Sequence, residues 1–164
     1  MAARAERIRF TILGEGARDY YFVKAFLTAT LGKNRAECYR SQTVPGVRSG
    51  EQQVRQRFPG ELEAMRRRPR KEQHWLVVIT DGDKLSPARR RAQLDKEGQI
   101  RGLISTCSED KVVVFVPCRN IESWFQWLET GEKVDETKSY KNRFPDAKPS
   151  KYGKELSQKC KSLP

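Results

Sequence analysis

Two short runs of strongly apolar residues constrain the fold of this chain more than any other feature. WLVVIT occupies residues 75–80 and VVVFV occupies residues 112–116. Runs of this length, rich in β-branched residues, are typical of strands buried on both faces of a sheet. Each run ends abruptly and is followed by a helical pattern. Strands that alternate with helices predict an α/β fold, with a mostly parallel sheet flanked by helices.

The remaining elements follow from apolar spacing and from turn residues. Gly32 is placed to end the first helix, Pro59 is a potential kink in the second, and Ser86 with Pro87 is typical of a helix start. The predicted order is β-α-β-α-β-α-β-α, followed by a polar, basic segment from about residue 131. The predicted elements are strands 8–13, 37–44, 75–80 and 111–117, and helices 19–31, 51–68, 86–97 and 120–130.

The charge balance predicts a polyanionic partner. The chain has 33 Lys and Arg against 21 Asp and Glu, a net charge of +12 over 164 residues. A basic domain of this kind points most often to nucleic acid, although a basic surface without a ligand remains the alternative. No apolar stretch approaches the roughly 20 residues that span a membrane. Residues 1–9 are polar and basic, without the apolar region of a signal peptide, so we expect a cytoplasmic protein.

Other common site chemistries find little support in the sequence. The four cysteines are scattered and form no C-x-x-C pair, so neither a structural zinc site nor a disulfide framework is expected. The single histidine, His74, excludes sites that need two histidines, and we expect it at the surface or at a strand edge.

Carboxylates follow three of the predicted strands. Asp81 and Asp83 come directly after the run at 75–80, Glu15 follows the first strand with Asp19 four residues later, and Glu122 follows the last strand. The carboxyl ends of parallel strands share one edge of the sheet, where ligands bind. Carboxylates gathered there are costly unless a cation lies between them, and Mg²⁺ prefers such oxygen ligands. Two of these acids also have ordinary explanations, because Asp19 could be a helix cap and Glu122 a first-turn acid favoured by the helix dipole.

Three segments together resemble the motifs of TOPRIM domains. ILGEGARD at residues 12–19 is similar to their strand followed by E-G-x-x-D, and ITDGD at residues 79–83 is similar to their D-x-D motif. VPCRNIESW at residues 116–124 resembles the P-x-x-N-x-E-x-W pattern of small standalone bacterial members, which are related to the TOPRIM part of OLD-family nucleases and to RloB-like defence proteins. The resemblance implies a TOPRIM-like (Rossmann-like) catalytic domain over residues 1–130 and a basic C-terminal extension over residues 131–164.

The resemblance also implies an activity and a set of site residues. It implies a Mg²⁺- or Mn²⁺-dependent nuclease with one or two ions, in which two ions about 3.5–4 Å apart would stabilise the attacking and leaving oxygens. Metal ligands would be Glu15, Asp19, Asp81, Asp83 and Glu122. A lysine is often found near OLD-type sites, and the candidates are Lys84, Lys148, Lys151 and Lys154, of which we take Lys154 as the catalytic one.

Basic residues near these motifs are candidates for phosphate contacts. They are Arg18, Lys84, Arg89, Arg90, Arg119, Lys148 and Lys151. Tyr140, Phe144 and Tyr152, interleaved with lysines and arginines in the extension, are predicted either to stack on exposed bases or to form a partner-docking arm. The basic run at 66–71 is either a phosphate contact or a solvated connector.

The expected function is therefore cleavage of DNA or RNA, tRNA included, in anti-phage defence. No G-x-x-x-x-G-K-[ST] motif occurs, so the resemblance to OLD proteins implies a separate ABC-type ATPase as partner, and the chain itself could form a homo-oligomer. The alternative is a non-catalytic subunit that uses the same scaffold to bind nucleic acid or a partner. A phosphotransfer domain with acidic strand ends is a third and weaker alternative.

Overall fold

The computed structural model describes residues 7–163 and confirms the α/β class. Four strands form one parallel sheet in the order β2-β1-β3-β4, so the two apolar runs are neighbours on one side of it. Of the N-terminal segment expected to lack a signal, residues 1–6 lie outside the described residues. No helix of residues 7–163 combines the length and the apolar character needed to cross a membrane.

The first eight elements agree with the predicted order, with shifts of a few residues at the ends, whereas a 3₁₀ turn and a fifth helix in the C-terminal segment were not predicted. The strands are β1 (Ile8–Gly14), β2 (Ala36–Arg40), β3 (His74–Ile79) and β4 (Val112–Phe115). The helices are α1 (Ala17–Leu31), α2 (Gly50–Arg66), α3 (Pro87–Ile100), α4 (Glu122–Thr130) and α5 (Pro149–Lys161), with a 3₁₀ turn at Lys141–Arg143. Pro59 lies inside α2 without dividing it, and Ser86 Oγ accepts the backbone N–H of Arg89 at 3.3 Å, as the cap prediction requires.

Strand β3 divides the core into two layers because its side chains alternate between the faces of the sheet. Leu76 and Val78 pack against α2 and α3, whereas Val77 and Ile79 pack against α1 and α4. All four side chains are essentially inaccessible. The architecture is therefore three-layered, with helices on both faces, and this explains why β3 reads as an unbroken apolar run.

The C-terminal segment is part of the second layer. The ring of Tyr152 stacks on Phe125 of α4 at 4.1 Å between centroids, and Phe144 meets both rings edge-on at 5.9 Å. Both Phe144 and Tyr152 are buried. The prediction that these two aromatic residues stack on bases is therefore wrong, because the core already holds their faces.

One other sequence interpretation needs correction. His74 is buried at the start of β3, between two neighbouring strands, where its Nε2 lies 2.9 Å from the hydroxyl of Thr11. The basic run at 66–71 makes several ion pairs with acids, and both of its interpretations, a phosphate contact and a solvated connector, stay open. Arg66 forms two hydrogen bonds with the carboxylate of Asp110, at 2.8 and 2.9 Å. Further pairs with acids are made by Arg67, Arg68 and Arg70.

Candidate functional site

The ends of three strands lie side by side at one edge of the sheet. Gly14 is opposite Ile79, and Ile79 is opposite Phe115. The chain reverses its direction of strand addition between β1 and β3, since β2 lies on one side of β1 and β3 on the other. In open α/β sheets the crevice at such a switch point is the usual ligand site. Glu15 and Asp81, the acids that follow β1 and β3, border this crevice.

The loops after β3 and β4 continue to pair beyond the strands. The Gly82 N–H donates to the Pro117 carbonyl at 2.8 Å, and the Asp83 N–H donates to the Arg119 carbonyl at 3.1 Å. A Cβ on Gly82 would lie only 3.0 Å from that Pro117 oxygen and 3.1 Å from the Leu85 oxygen. A side chain at this position would therefore require these backbone oxygens to shift by a few tenths of an ångström, which favours glycine between the two aspartates.

Glu15 is tied to the end of β3 by two hydrogen bonds. Its Oε1 accepts the Thr80 hydroxyl at 2.8 Å and the Asp81 N–H at 2.7 Å. Burial nevertheless raises the pKa of Glu15, because loss of solvent outweighs both hydrogen bonds. The two bonds hold this carboxylate beside Asp81.

Asp19 belongs both to the first turn of α1 and to the acidic group. The helix is capped by Gly16, and Asp19 lies in its first turn, where its Oδ2 accepts the Gly16 N–H at 3.1 Å as in a capping box. Burial, followed by repulsion from Glu15 and more weakly from Glu122, raises its pKa to about 6. The carboxylate therefore lies within the electrostatic field of the neighbouring strand ends.

Asp81 has the most strongly perturbed carboxyl of the group. Burial raises its pKa to about 8, and Glu15, Asp19 and Glu122 add repulsion. Lys141 opposes this shift, with its Nζ at 3.6 Å from Asp81 Oδ2. Such a pKa reflects a carboxyl that is first of all desolvated and then repelled by neighbouring acids.

Glu122 closes the group from the side of α4. It is only 4% exposed, and its Oε1 forms an ion pair with Arg18 of α1. Its Oε2 is buried and has no hydrogen-bond partner among residues 7–163. Buried carboxylate oxygens rarely remain unpaired, so this atom has capacity for a cation or a donor.

Asp83 lies at the rim rather than inside. Its side chain is 56% exposed and lies 3.3 Å from Nη2 of Arg90. Glu15, Asp19, Asp81 and Glu122 therefore form what we call the carboxylate group, with Asp83 outside it. Within residues 7–163, no three acidic, histidine or cysteine side chains converge closely enough to hold a metal ion as they stand.

The structure corrects the assignment of Arg90 as a nucleic-acid contact. Arg90 is 5% exposed, and its Nη1 donates to Glu51 and Gln93 at 2.8 and 2.9 Å. Its Nη2 lies 3.4 Å from the Gly82 carbonyl. This arginine holds α3 against α2 and the Asp83 loop, and it cannot reach a ligand without breaking those bonds.

The other predicted basic residues are dispersed. Lys154 lines a groove between α1 and α5 that includes none of the carboxylate group. Lys151 pairs with Glu129 and Glu155, and Lys148 is exposed at the start of α5. Arg89 is exposed on the first turn of α3. Lys84 and Arg119 line a cleft beside Asp83, and Arg18 is held by Glu122.

Sequence reasoning missed two residues that contact the carboxylate group. Lys141 reaches Asp81 from the 3₁₀ turn, about 60 residues away along the chain, and no local pattern marks it among the many lysines of the C-terminal segment. Thr80 is buried and hydrogen-bonded to Glu15. It could have been recognised from the sequence, because it is the only polar residue of the run at 75–80.

A scan against protein-family models and searches of curated proteins and of solved structures gave no match to this chain.

The raised pKa of Asp81 predicts a pH-dependent gain in stability for Asp81→Asn. The unfolded chain releases this proton near pH 4, whereas the folded chain keeps it to about pH 8. Ionisation therefore destabilises the folded protein increasingly between these values. In EDTA the variant should match the wild type near pH 4 and exceed its free energy of unfolding by a few kcal/mol at pH 8, on the order expected for such a shift.

Urea titrations at both pH values would measure this difference. Asp146→Asn, at an exposed position outside the carboxylate group, is the matched control and should behave as the wild type. An equal effect of Asp81→Asn at both pH values would contradict the electrostatic description of the site.

Proposed function

We propose that this chain is a divalent-metal-dependent hydrolase of phosphodiester bonds in nucleic acid, of the TOPRIM type. The observation that carries the proposal is the carboxylate group itself. Three separate segments bring together four acids, of which Asp19 and Glu122 are buried and Glu15 and Asp81 partly buried. Burial, and after it repulsion between these neighbouring acids, raises the pKa of Asp19 and Asp81. Structural stability alone does not favour such an arrangement, whereas a site that binds cations does.

The donor set fits Mg²⁺ or Mn²⁺. Carboxylate oxygens are the ligands that these ions prefer, and Glu122 Oε2 is a buried oxygen without a partner in the described chain. Asp81, Glu15 and Asp19 would hold one ion after their side chains move closer together, since they do not converge on a common point as they stand. Glu122 with Asp19 could contribute to a second. Asp83, at the rim, could join the first. A bound ion would supply Lewis-acid stabilisation and an activated water.

The chain's own residues would prepare the site for this ion. Thr80 and the Asp81 N–H fix the orientation of Glu15. Lys141 and Arg18 provide temporary partners for Asp81 and Glu122, and each would be released when a cation takes its place. Lys141 could then donate to a phosphate oxygen, because its side chain is already more than half exposed.

The net charge of +12 would attract a nucleic acid electrostatically, although the carboxylate group itself is acidic. Lys84, Arg89 and Arg119 belong to the elements that leave this edge of the sheet. The charge supports nucleic acid as the substrate class, and both DNA and RNA satisfy it. The resemblance to OLD and RloB-like proteins adds a cytoplasmic setting, a role in anti-phage defence and a separate ABC-type ATPase partner to the proposal.

The direct test is cleavage of labelled single- and double-stranded DNA and RNA. Purified protein should degrade at least one of them with Mg²⁺ or Mn²⁺ and none in EDTA. Because the resemblance implies a partner, the assay should be run both alone and with cell extract that contains the neighbouring gene products. Absence of any metal-dependent product under both conditions, combined with calorimetry that detects no Mn²⁺ binding at millimolar concentration, would reject the proposal.

A second candidate is a non-catalytic binding subunit with the same scaffold. One observation favours it: three of the five predicted acids already have a basic partner, in the pairs Arg18–Glu122, Lys141–Asp81 and Arg90–Asp83. Under this function those pairs are permanent. Lys141→Gln separates the two candidates, because removal of a temporary partner should strengthen Mn²⁺ binding, whereas a scaffold should bind no Mn²⁺ with or without it.

A further inference from the structure

A cleft lies between the loops that follow β3 and β4, directly beside the carboxylate group. It has a volume of about 470 Å³, and we call it the interloop cleft. Lys141, which contacts Asp81, forms part of its wall. Its lining residues are Asp83, Lys84, Leu85, Arg119, Asn120, Ser139 and Lys141.

The backbone of this cleft is held in an unusual conformation. Asp83 has φ of 51° and Arg119 has φ of 65°, and they are the non-glycine residues with positive φ in the described part of the chain. They face each other, since the Asp83 N–H donates to the Arg119 carbonyl at 3.1 Å. Backbone strain of this kind persists where the surroundings fix it, and it clusters at ligand sites. Both residues lie in this one cleft.

The cleft is cationic, although it adjoins an acidic centre. Lys84, Arg119 and Lys141 contribute three positive charges, and Asp83 is the only acid in the wall. The Asp83 carboxylate is already paired with Arg90 from behind. A net positive recess of this size favours an anion, and its position next to the carboxylate group would place that anion beside any bound metal.

Asn120 supplies the most specific observation. It is only 3% exposed, and its Nδ2 donates to Ser139 Oγ at 3.0 Å. Its Oδ1 is buried without a hydrogen-bond partner among residues 7–163. Buried amides are normally satisfied at both ends, so one side of this amide is left for a group that enters the cleft.

We propose that the interloop cleft binds a phosphate of the nucleic-acid strand, next to the phosphodiester at the carboxylate group. Lys84, Arg119 and Lys141 would neutralise the phosphate, and Asn120 Oδ1 would accept a hydrogen bond from a hydroxyl or N–H of the nucleotide that carries it. That the ligand is a nucleic acid rests on the proposed function. It adds a subsite that fixes the register of the strand, because phosphate contacts position a nucleic acid relative to the chemistry.

The test is equilibrium binding in EDTA, which removes metal-dependent cleavage. Fluorescence anisotropy with a single-stranded RNA and a DNA of the same sequence would give the dependence of the association constant on salt. Lys84→Gln and Arg119→Gln should each weaken binding at least about threefold near 0.1 M salt and reduce the slope of log K against log salt by about 0.7. Lys96→Gln, the same charge change at an exposed position of α3, is the control and should leave both values unchanged.

The outcomes separate this inference from the proposed function. Slopes for Lys84→Gln and Arg119→Gln that equal the wild-type slope on both polymers would overturn the subsite, even if Asp81→Asn abolishes cleavage. A reduced slope on RNA alone or on DNA alone supports the subsite and identifies the substrate. If the slopes fall while Asp81→Asn cleaves as the wild type does, the phosphate site stands and the proposed metal centre fails. Thermal unfolding of Arg119→Gln shows whether the variant is still folded. If it is not, the salt dependence of Lys84→Gln alone tests the subsite.

Discussion

Asp81→Asn is expected to reduce metal-dependent cleavage by at least about 100-fold, the order of magnitude lost when one group that stabilises the transition state is removed. Asp81 is the acid on which the repulsion of Glu15, Asp19 and Glu122 converges. An amide in its place keeps the shape of the side chain and removes the charge that would hold the ion. Initial rates on the cleaved substrate, with Mn²⁺ at millimolar concentration, measure the effect.

Folding and metal binding must be followed in the same variant. Because the substitution removes a destabilising ionisation, Asp81→Asn should unfold at the same temperature as the wild type or above it, while its Mn²⁺ binding by calorimetry is lost. Glu15→Gln keeps an oxygen for Thr80 and should lose cleavage similarly. Asp146→Asn is the matched control and should cleave at the wild-type rate. Wild-type cleavage by both Asp81→Asn and Glu15→Gln would remove the carboxylate group from the mechanism.

The sequence predicts the frame of this site well, for a physical reason. An unbroken apolar run such as 75–80 is stable only as a strand covered on both faces, which requires parallel neighbours and helices. The acids that follow this strand and its two parallel neighbours must then share one edge. The register of Gly14 with Ile79, and of Ile79 with Phe115, confirms this. Apolar periodicity and the rules for connecting parallel strands are therefore sufficient to predict the sheet and the edge at which these acids lie.

Side-chain partners could not be predicted in the same way. Arg90 lies in a run of arginines on a basic helix, and only the packing of α3 against α2 shows that it is buried. Lys141 reaches Asp81 because the C-terminal segment folds back across the end of the sheet. Such pairs depend on contacts between distant segments, which neither spacing nor composition encodes. The same limit explains why Lys154, taken from four candidate lysines that spacing alone could not separate, lines a different groove.

The C-terminal segment was expected to be a basic extension, and its helix α5 packs closely on α1. At Gly153 the two helices meet without a side chain between them. A Cβ built there would lie 2.2 Å from the Phe22 carbonyl oxygen and 3.0 Å from both Ala25 Cβ and the Phe26 nitrogen. Two of these three atoms belong to the backbone of α1, so they cannot move aside as a flexible side chain would. Since Asp19 lies in the first turn of α1, the position of α5 bears on the carboxylate group.

Gly153→Ala is therefore expected to destabilise the protein by about 3 kcal/mol or more, the upper range for overpacking of a closely packed interface. Gly60→Ala is a matched control, because Gly60 also lies within a helix and has no atom within 4 Å of its built Cβ. That change should stabilise the protein by roughly 0.5–1 kcal/mol through helix propensity. Urea unfolding measures both, and fluorescence of Trp124 and Trp127 on the adjacent helix α4 reports the C-terminal layer. If residues 131–163 were a loosely attached extension, the two alanine variants would show similar stabilities; opposite signs would show that α5 is an integral part of the domain that positions the site.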